Sequence, residues 1–384
     1  MDNGSDAGGE NAMIYWDNNA TTPVAPEVLE EMLPYLQGQY FNPSASYHAA
    51  KDVRRAVEIA REQVAALVGA HPDEIFFTSG GTEATNTALA QFRSALTLAT
   101  EHPATLRTIS GEACAVLSNG VVDLPEWKEL LKGRDGASFA WANHETGVIQ
   151  PIKSMCSAAV EAGARVHVDI VQAAGKVPIC LRDYPIDFAS LSAHKLHGPK
   201  GVGALYARRG TEWHPLLTGG SQEDYRRAGT ENVPGIVGFG KAAELAMTAA
   251  ATYERIAQMR ELFLEQISAA GIDYVQNGAS AKRLPHVLNM RVPGCAAESL
   301  FLLLEPMGLL CSAGSACTSA EPHPSHVLKA MGLADKEIRE SIRFSMSRYT
   351  TTEEVGKAAE IFIKAVRKLR SVQSVNTGPV MVYR

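Results

Sequence analysis

Short apolar runs alternate with helix-period segments through the middle of the chain. Glu74–Thr78, Ala113–Leu117, Ser138–Ala142, Arg165–Val168, Phe188–Leu191 and Gly203–Ala207 are strand-length and largely apolar, the pattern of strands covered on both faces. Thr82–Ser94 and Ile152–Ala162 carry helical spacing, and the first opens at Gly80-Gly81-Thr82 directly after a strand. This alternation predicts an α/β domain around a mainly parallel sheet. A glycine turn that opens a helix at a sheet edge is a natural anion site. The helical stretch Ile236–Ala269 reads as a connector. Beyond it, His286–Val292 and Ser341–Ser347 read as strands, and Ala297–Met307, Ser325–Met331 and Thr352–Val372 as helices. The expected organisation is a disordered tail over 1–12, a large α/β domain over 42–250, and a smaller α+β domain built from 13–41 and 251–384.

Composition narrows the function classes. The chain has 384 residues, with 36 Lys+Arg against 42 Asp+Glu and a net charge of −6, which argues against a basic nucleic-acid-binding domain. No apolar run approaches the roughly 18 residues of a membrane span; the longest, Ala242 to Tyr253, is broken by Glu244 and Thr248. Met1 to Ala12 has neither the cationic start nor the apolar core of a signal peptide, so a soluble, cytoplasmic protein is expected. The 6 cysteines form no CxxC and no regular framework, which suits reduced, mostly buried thiols.

Several signatures come close and fail on a residue their chemistry needs. Gly235-Ile-Val-Gly-Phe-Gly240-Lys241 has phosphate-loop spacing, yet Ala242 stands where a hydroxyl must hold magnesium. Ser192-Ala-His-Lys195 fits S-x-x-K, but no S-D-N or K-T-G follows. Cys311, Cys317, His323 and His326 are poorly spaced for zinc, and no metal is expected.

What remains is a set of polar residues at strand ends, where an open α/β sheet places its ligand. Asp169 closes Arg165-Val-His-Val168, Gln172 follows, and Lys195 lies in Ser192-Ala-His194-Lys195. A carboxylate and a lysine on neighbouring strand ends suit pyridoxal phosphate: the lysine forms a Schiff base with the aldehyde, and the carboxylate keeps the pyridine nitrogen protonated. The helix opened by Gly81 and Thr82 would take the phosphate.

Eight separated segments carry a resemblance: Trp16-Asp-Asn-Asn-Ala-Thr-Thr-Pro23, Phe77-Thr-Ser-Gly-Gly-Thr-Glu83, Glu101-His102, Val168-Asp-Ile-Val-Gln172, Ser192-Ala-His-Lys195, Arg227-Ala-Gly-Thr-Glu-Asn232, Ser312-Ala-Gly-Ser-Ala-Cys-Thr-Ser319 and Ser341-Ile-Arg-Phe344. In order and type they resemble cysteine desulfurases of the NifS/IscS type. The resemblance implies a fold-type I pyridoxal-phosphate homodimer with a large α/β and a smaller α+β domain. It implies Lys195 as the Schiff-base lysine, Asp169 as the pyridinium partner, Gln172 as donor to the ring phenolate and His102 as the stacked imidazole; because an imidazole both gives and accepts a proton near neutral pH, His102 is also the expected proton shuttle. Thr82, Ser192 and His194 would hold the phosphate, with Thr230 supplied by the other subunit. Arg343 would clamp the carboxylate of L-cysteine. Cys317 would take the sulfur as a persulfide and deliver it, from a mobile loop, to an acceptor such as an iron–sulfur scaffold. Neither nucleic acid nor membrane is an expected direct partner.

The sequence also departs from that family. Asn143-His144-Glu145 stands where the family usually has Asn-Asn-Glu, placing Asn143 and the titratable His144 near the substrate carboxylate and predicting a pH dependence that His144→Asn alters. The stretch from Glu83 to Val122 is short, and Gly219–Arg226 carries Asp224-Tyr225 in place of a richer glycine and arginine pattern. Two readings compete. A selenocysteine lyase or aminotransferase of the same fold needs no Cys317, and a cofactor-free module that binds sulfur carriers shows no Schiff-base absorbance.

Overall fold

A computed structural model describes residues 13–109, 111–248, 250–312 and 324–375. The expected tail over 1–12 and Cys317 both lie outside the described residues. The chain enters through β1 (Ile14–Tyr15), and the large sheet follows: β2 (Ile75–Thr78), β3 (Ala95–Leu98), β4 (Ala113–Cys114), β5 (Gly136–Ala140), β6 (Arg165–Asp169), β7 (Phe188–Ser192) and β8 (Gly203–Ala207). Their spatial order is β2-β8-β7-β6-β5-β3-β4. The run from β4 to β7 is parallel throughout, and β8 is antiparallel to both its neighbours. Parallel strands need both faces covered, and β7 and β8 are buried at every residue. Helices His48–Val68 and Val233–Met247 pack together on one side, while Gly81–Leu89 packs against β7 and β8.

One core cluster, including Val64, Phe77, Leu96, Phe139, Leu191 and Phe239, fills the large body. A second is built around Trp16, Phe263, Leu288, Phe344 and Phe362. Its strands are β9 (Val275–Gln276), β10 (Val287–Arg291), β11 (Leu309–Leu310) and β12 (Ser341–Ser345), in an antiparallel β12-β10-β9 sheet with β1 parallel to β11. Trp16 packs edge-on against Phe263 and Phe344, with ring centroids 5.2 and 5.9 Å away. The chain then crosses to the large body, where Thr22 and Ala25 donate backbone hydrogen bonds to the carbonyls of His194 and His197. Segment 17–25 therefore spans both bodies.

Several expectations change. The connector 236–269 is two helices, Val233–Met247 and Ala250–Ala269. The helix expected over 82–94 ends at Leu89, and the unforeseen strand Ala95–Leu98 follows it. The strand expected over 113–117 shortens to Ala113–Cys114. Helix Pro26–Gln37 packs on Val233–Met247, so it sits on the large body rather than with the small one as the grouping of 13–41 expects.

Candidate active site

The C-terminal ends of five sheet strands converge on one cavity of about 290 Å³. After β2 comes the turn that opens Gly81–Leu89, after β3 come Glu101 and His102, after β5 comes His144, β6 ends in Asp169, and β7 ends in Ser192 with His194 and Lys195 beyond. The cavity wall holds Gly81, Thr82, His102, His144, Asp169, Gln172, Ser192, His194 and Lys195. These nine were singled out from sequence, and the fold brings them together. Parallel strands do this because their carboxyl ends all lie on one edge.

Below the cavity a buried polar layer fixes the strands to one another. His167 Nδ1 and Nε2 each lie 2.8 Å from a serine hydroxyl, on Ser138 and Ser190, and Thr85 Oγ1 donates to Ser190 at 2.9 Å. Burial holds His167 neutral, with its pKa pushed down to about 3. With both ring nitrogens bonded, this layer is a satisfied network rather than a buried liability.

Burial moves the charged residues toward neutrality. Desolvation, assisted by the Arg343 cation, pulls the Lys195 amine down to about 8. Its Nζ donates to the carbonyls of Asn19 and Ala20. Desolvation lifts Asp169 to about 6 against the opposing effects of the Val171 N–H and Lys195. Asp169 Oδ1 accepts from Val171 N at 2.8 Å. Glu101, buried beside it, is pushed up to about 8, and its Oε2 has no partner among the described residues. His102 is lowered to about 4 by desolvation and by Lys195. Its Nδ1 accepts from Ala104 N at 3.1 Å, which leaves the ring proton on Nε2. His194 is also lowered to about 4, and its Nδ1 lies 3.1 Å from Thr21 Oγ1. The hydroxyls of Thr82 and Ser192 make no hydrogen bond among the described residues, so these donors remain available at the cavity wall.

Three of the sequence-derived residues sit apart from the cavity wall. Asn143 turns into its own loop: Oδ1 accepts from Glu145 N and Thr146 N, both at 2.9 Å, and Nδ2 donates to Thr100 O. Arg343 is buried behind His144, donating to the His144 carbonyl at 3.1 Å and pairing with Asp17 at 2.6 Å. Thr230 lines a different, smaller cavity with Arg227, Gly229 and Glu231. The His144 ring packs against His102 and His326, at centroid distances of 5.4 and 6.2 Å. Burial keeps His144 well below the ordinary histidine pKa. This direction runs against the pH dependence expected of His144.

Residues 14–357 match the family described as aminotransferase class V. The chain belongs to the class-V aminotransferase family. A cysteine desulfurase of Trichormus azollae is 43% identical to it over 378 residues, spanning 94% of each chain. A solved NifS-like protein superposes with a TM-score of 0.85 at 34% identity, covering 93% of this chain and 100% of its own. The structure of SspA in complex with cysteine does so with a TM-score of 0.76 at 31% identity, covering 88% and 100%. The chain has fold type I, as the sequence motifs imply.

Sequence reasoning missed the residues that organise the site from outside its motifs' obvious chemistry. Asn19 joins five neighbours: its carbonyl accepts from Gln172 Nε2 at 3.1 Å and from Lys195, its N–H donates to Ser345 Oγ at 2.9 Å, its Nδ2 donates to the His144 carbonyl at 3.0 Å, and its Oδ1 accepts from His286 Nε2 at 2.9 Å. Asp17 occupies the Arg343 guanidinium. Both fall in the quoted segment Trp16–Pro23, and the paired amides Asn18-Asn19 were the available signal.

Proposed function

We propose that this protein is a cysteine desulfurase that converts L-cysteine to L-alanine and passes the sulfur, carried as a persulfide on Cys317, to an acceptor protein. The observation that carries this reading is the convergence of Lys195, Asp169, Gln172 and His102 with Thr82, Ser192 and His194 on one cavity, in a chain of the class-V aminotransferase family. These residues fit pyridoxal 5'-phosphate. The unbonded Thr82 and Ser192 hydroxyls, His194 and the N-terminus of Gly81–Leu89 suit a phosphate. At Gly81 an added Cβ would come within 2.8 Å of Val171 Cγ2, so only glycine leaves that wall its present shape. Half-buried Asp169, at the cavity wall, suits a protonated ring nitrogen.

When bound, pyridoxal phosphate supplies an aldehyde that condenses with an amine and a ring that stores an electron pair. Lys195, with a pKa near 8, is available in part as a free amine at neutral pH and can hold the proton taken from the substrate α-carbon. Neutral His102 presents an Nε2–H to the cavity. Arg343 takes the substrate carboxylate by exchanging it for Asp17. The Cys317 thiolate attacks the substrate sulfur: the S–S bond forms, the C–S bond breaks, and the carbon fragment takes up protons to become alanine. A second copy of the chain supplies Thr230, and the acceptor is a sulfur-carrying or iron–sulfur scaffold protein of the cytoplasm.

The test is release of alanine and sulfide from L-cysteine in the presence of a thiol reductant, by the wild type and Cys317→Ala. Equal amounts from the wild type, lost in the variant while the cofactor absorbance persists, are expected. Turnover that survives in the variant points to a lyase or aminotransferase.

A further inference from the structure

The cavity has a second buried lysine behind its wall. After Asp169 the chain coils tightly, with Ala174 N bonded to Ile170 O and Lys176 N to Ala173 O, so Gln172 and Lys176 lie one turn apart. Gly175 makes this possible: its φ is +68°, and an added Cβ would lie 2.7 Å from the Ala246 Cβ. Lys176 is 6% exposed, and its Nζ donates to Gln172 Oε1 at 3.2 Å. That is the sole hydrogen bond of this ammonium, and it has no carboxylate within ion-pair distance, among the described residues. A buried cation without an acid is costly, so its one contact needs a reason.

We propose that Lys176 is a positioning residue that fixes the side-chain amide of Gln172 with its oxygen turned away from the cavity and its NH2 toward it. This rests on the proposed function and deepens it. A glutamine amide has nearly the same shape in both orientations, so only its partners choose between them. An ammonium has N–H donors and no acceptor, which requires Oε1 to face Lys176. The Asn19 carbonyl on the other side accepts from Nε2 at 3.1 Å and has no proton to give. Rotating the amide would set NH2 against NH3+ and oxygen against oxygen. One Nε2–H is thus spent on Asn19 and the second is left for the cavity, where Gln172 acts as a donor suited to an anionic ring oxygen.

The groups facing Lys176 from neighbouring elements leave this logic intact. Positive charge on Lys195 lowers the Lys176 amine further, and burial holds His194, His197 and His286 neutral, with their pKa values lowered. Burial brings Lys176 down to about 7, so measurements belong below that pH or across it.

The experiment uses the full-length protein loaded with pyridoxal phosphate, and follows the pH midpoint of its visible spectral transition in the wild type, Lys176→Met, Gln172→Ala and the double variant. Losing a donor to the anionic ring oxygen raises the midpoint, by about one pH unit for one charged hydrogen bond. Lys176→Met and Gln172→Ala are expected to raise it alike, with no further rise in the double variant. A normal midpoint in Lys176→Met beside a raised one in Gln172→Ala, or additive shifts, overturns the proposal. Lys176→Gln, which keeps a polar group but imposes no orientation, is expected to give a smaller rise should the methionine variant fail to fold. A cofactor-free readout separates this from the proposed function: in the apo protein the Gln172 side-chain NH2 resonances, identified by their loss in Gln172→Ala, shift in Lys176→Met. Unchanged resonances refute the positioning role whether or not the cofactor binds.

Discussion

His144 and Lys195 show how burial, rather than residue type, sets the chemistry of single side chains here. An imidazole placed where relatives carry an amide reads from sequence as a new titrating group. In the fold its half-buried ring packs against His102 and His326 at the cavity wall, and desolvation, followed by the nearby His102 and Arg343, holds its pKa well below the ordinary histidine value. The His144→Asn variant is therefore expected to keep the shape of the wild-type pH–rate profile above about pH 6.5, changing KM through the smaller ring-to-amide contact. A new ionisation in that range, present in wild type and absent in the variant, contradicts this. At this scale much was legible. Lys195, Asp169, Gln172 and His194 have side-chain types that carry chemistry, and they stand at strand ends. Asn19 and Lys176 were not legible, because their roles run through a backbone carbonyl and an amide orientation that no spacing rule encodes.

Among the elements, the turn before Arg226 stores strain and holds it with a buried ion pair. Glu223, Asp224 and Tyr225 all have positive φ, at 48°, 52° and 63°. Left-handed backbone costs about 1 kcal/mol or more at each non-glycine residue. Glu223 offsets this by accepting from Arg61 Nη1 at 2.7 Å, Arg61 Nη2 at 2.8 Å and Phe77 N at 2.8 Å. Tyr225 is 72% exposed and has no such anchor. Tyr225→Gly is expected to stabilise the protein by about 1 kcal/mol, whereas Glu223→Ala, which leaves Arg61 with the exposed Glu58 carboxylate and the Ile75 carbonyl, is expected to destabilise it by about 1–3 kcal/mol; denaturant midpoints check both. Equal effects of the two would show that strain and anchoring are not separated as described. The sequence flagged this loop as unusual but not its geometry, since φ above zero in a run without glycine leaves no compositional mark. The strand Ala95–Leu98 escaped notice for a simpler reason. It is four residues long and follows a helix so closely that one period reads into the other.

At the scale of the whole molecule, two cores are tied by one N-terminal segment, and several buried histidines sit in and between them. His167, His197 and His286 are nearly inaccessible and are held neutral, the first two with pKa values near 3. Each is depressed below the unfolded value, so the unfolded chain binds more protons as pH falls below about 6.5. Their contribution to stability is fully present above that pH and is lost progressively as pH falls toward the folded values. Glu101 and Asp169 act in the opposite sense, since their raised pKa values let the folded chain bind protons first. The half-buried His144 and His194 join the histidine side, so the net effect is acid lability. The apo protein is expected to show a falling urea midpoint from pH 6.5 to pH 5, and a flat or rising one contradicts the balance. The two-body architecture was legible in the alternation of strands and helices, but the seat of Pro26–Gln37 on the large body was not, because its apolar residues include the exposed Leu29, Leu33 and Leu36.

In the proposed reaction sulfur leaves L-cysteine onto Cys317 at a site built around Lys195. The most direct measurement is peptide mass spectrometry of the loaded protein after brief anaerobic exposure to L-cysteine, with free alanine quantified in the same sample. One additional sulfur atom is expected on the peptide that carries Cys317, in step with alanine formed, and neither product in Lys195→Ala. Alanine formed with no added sulfur on that peptide would contradict this transfer.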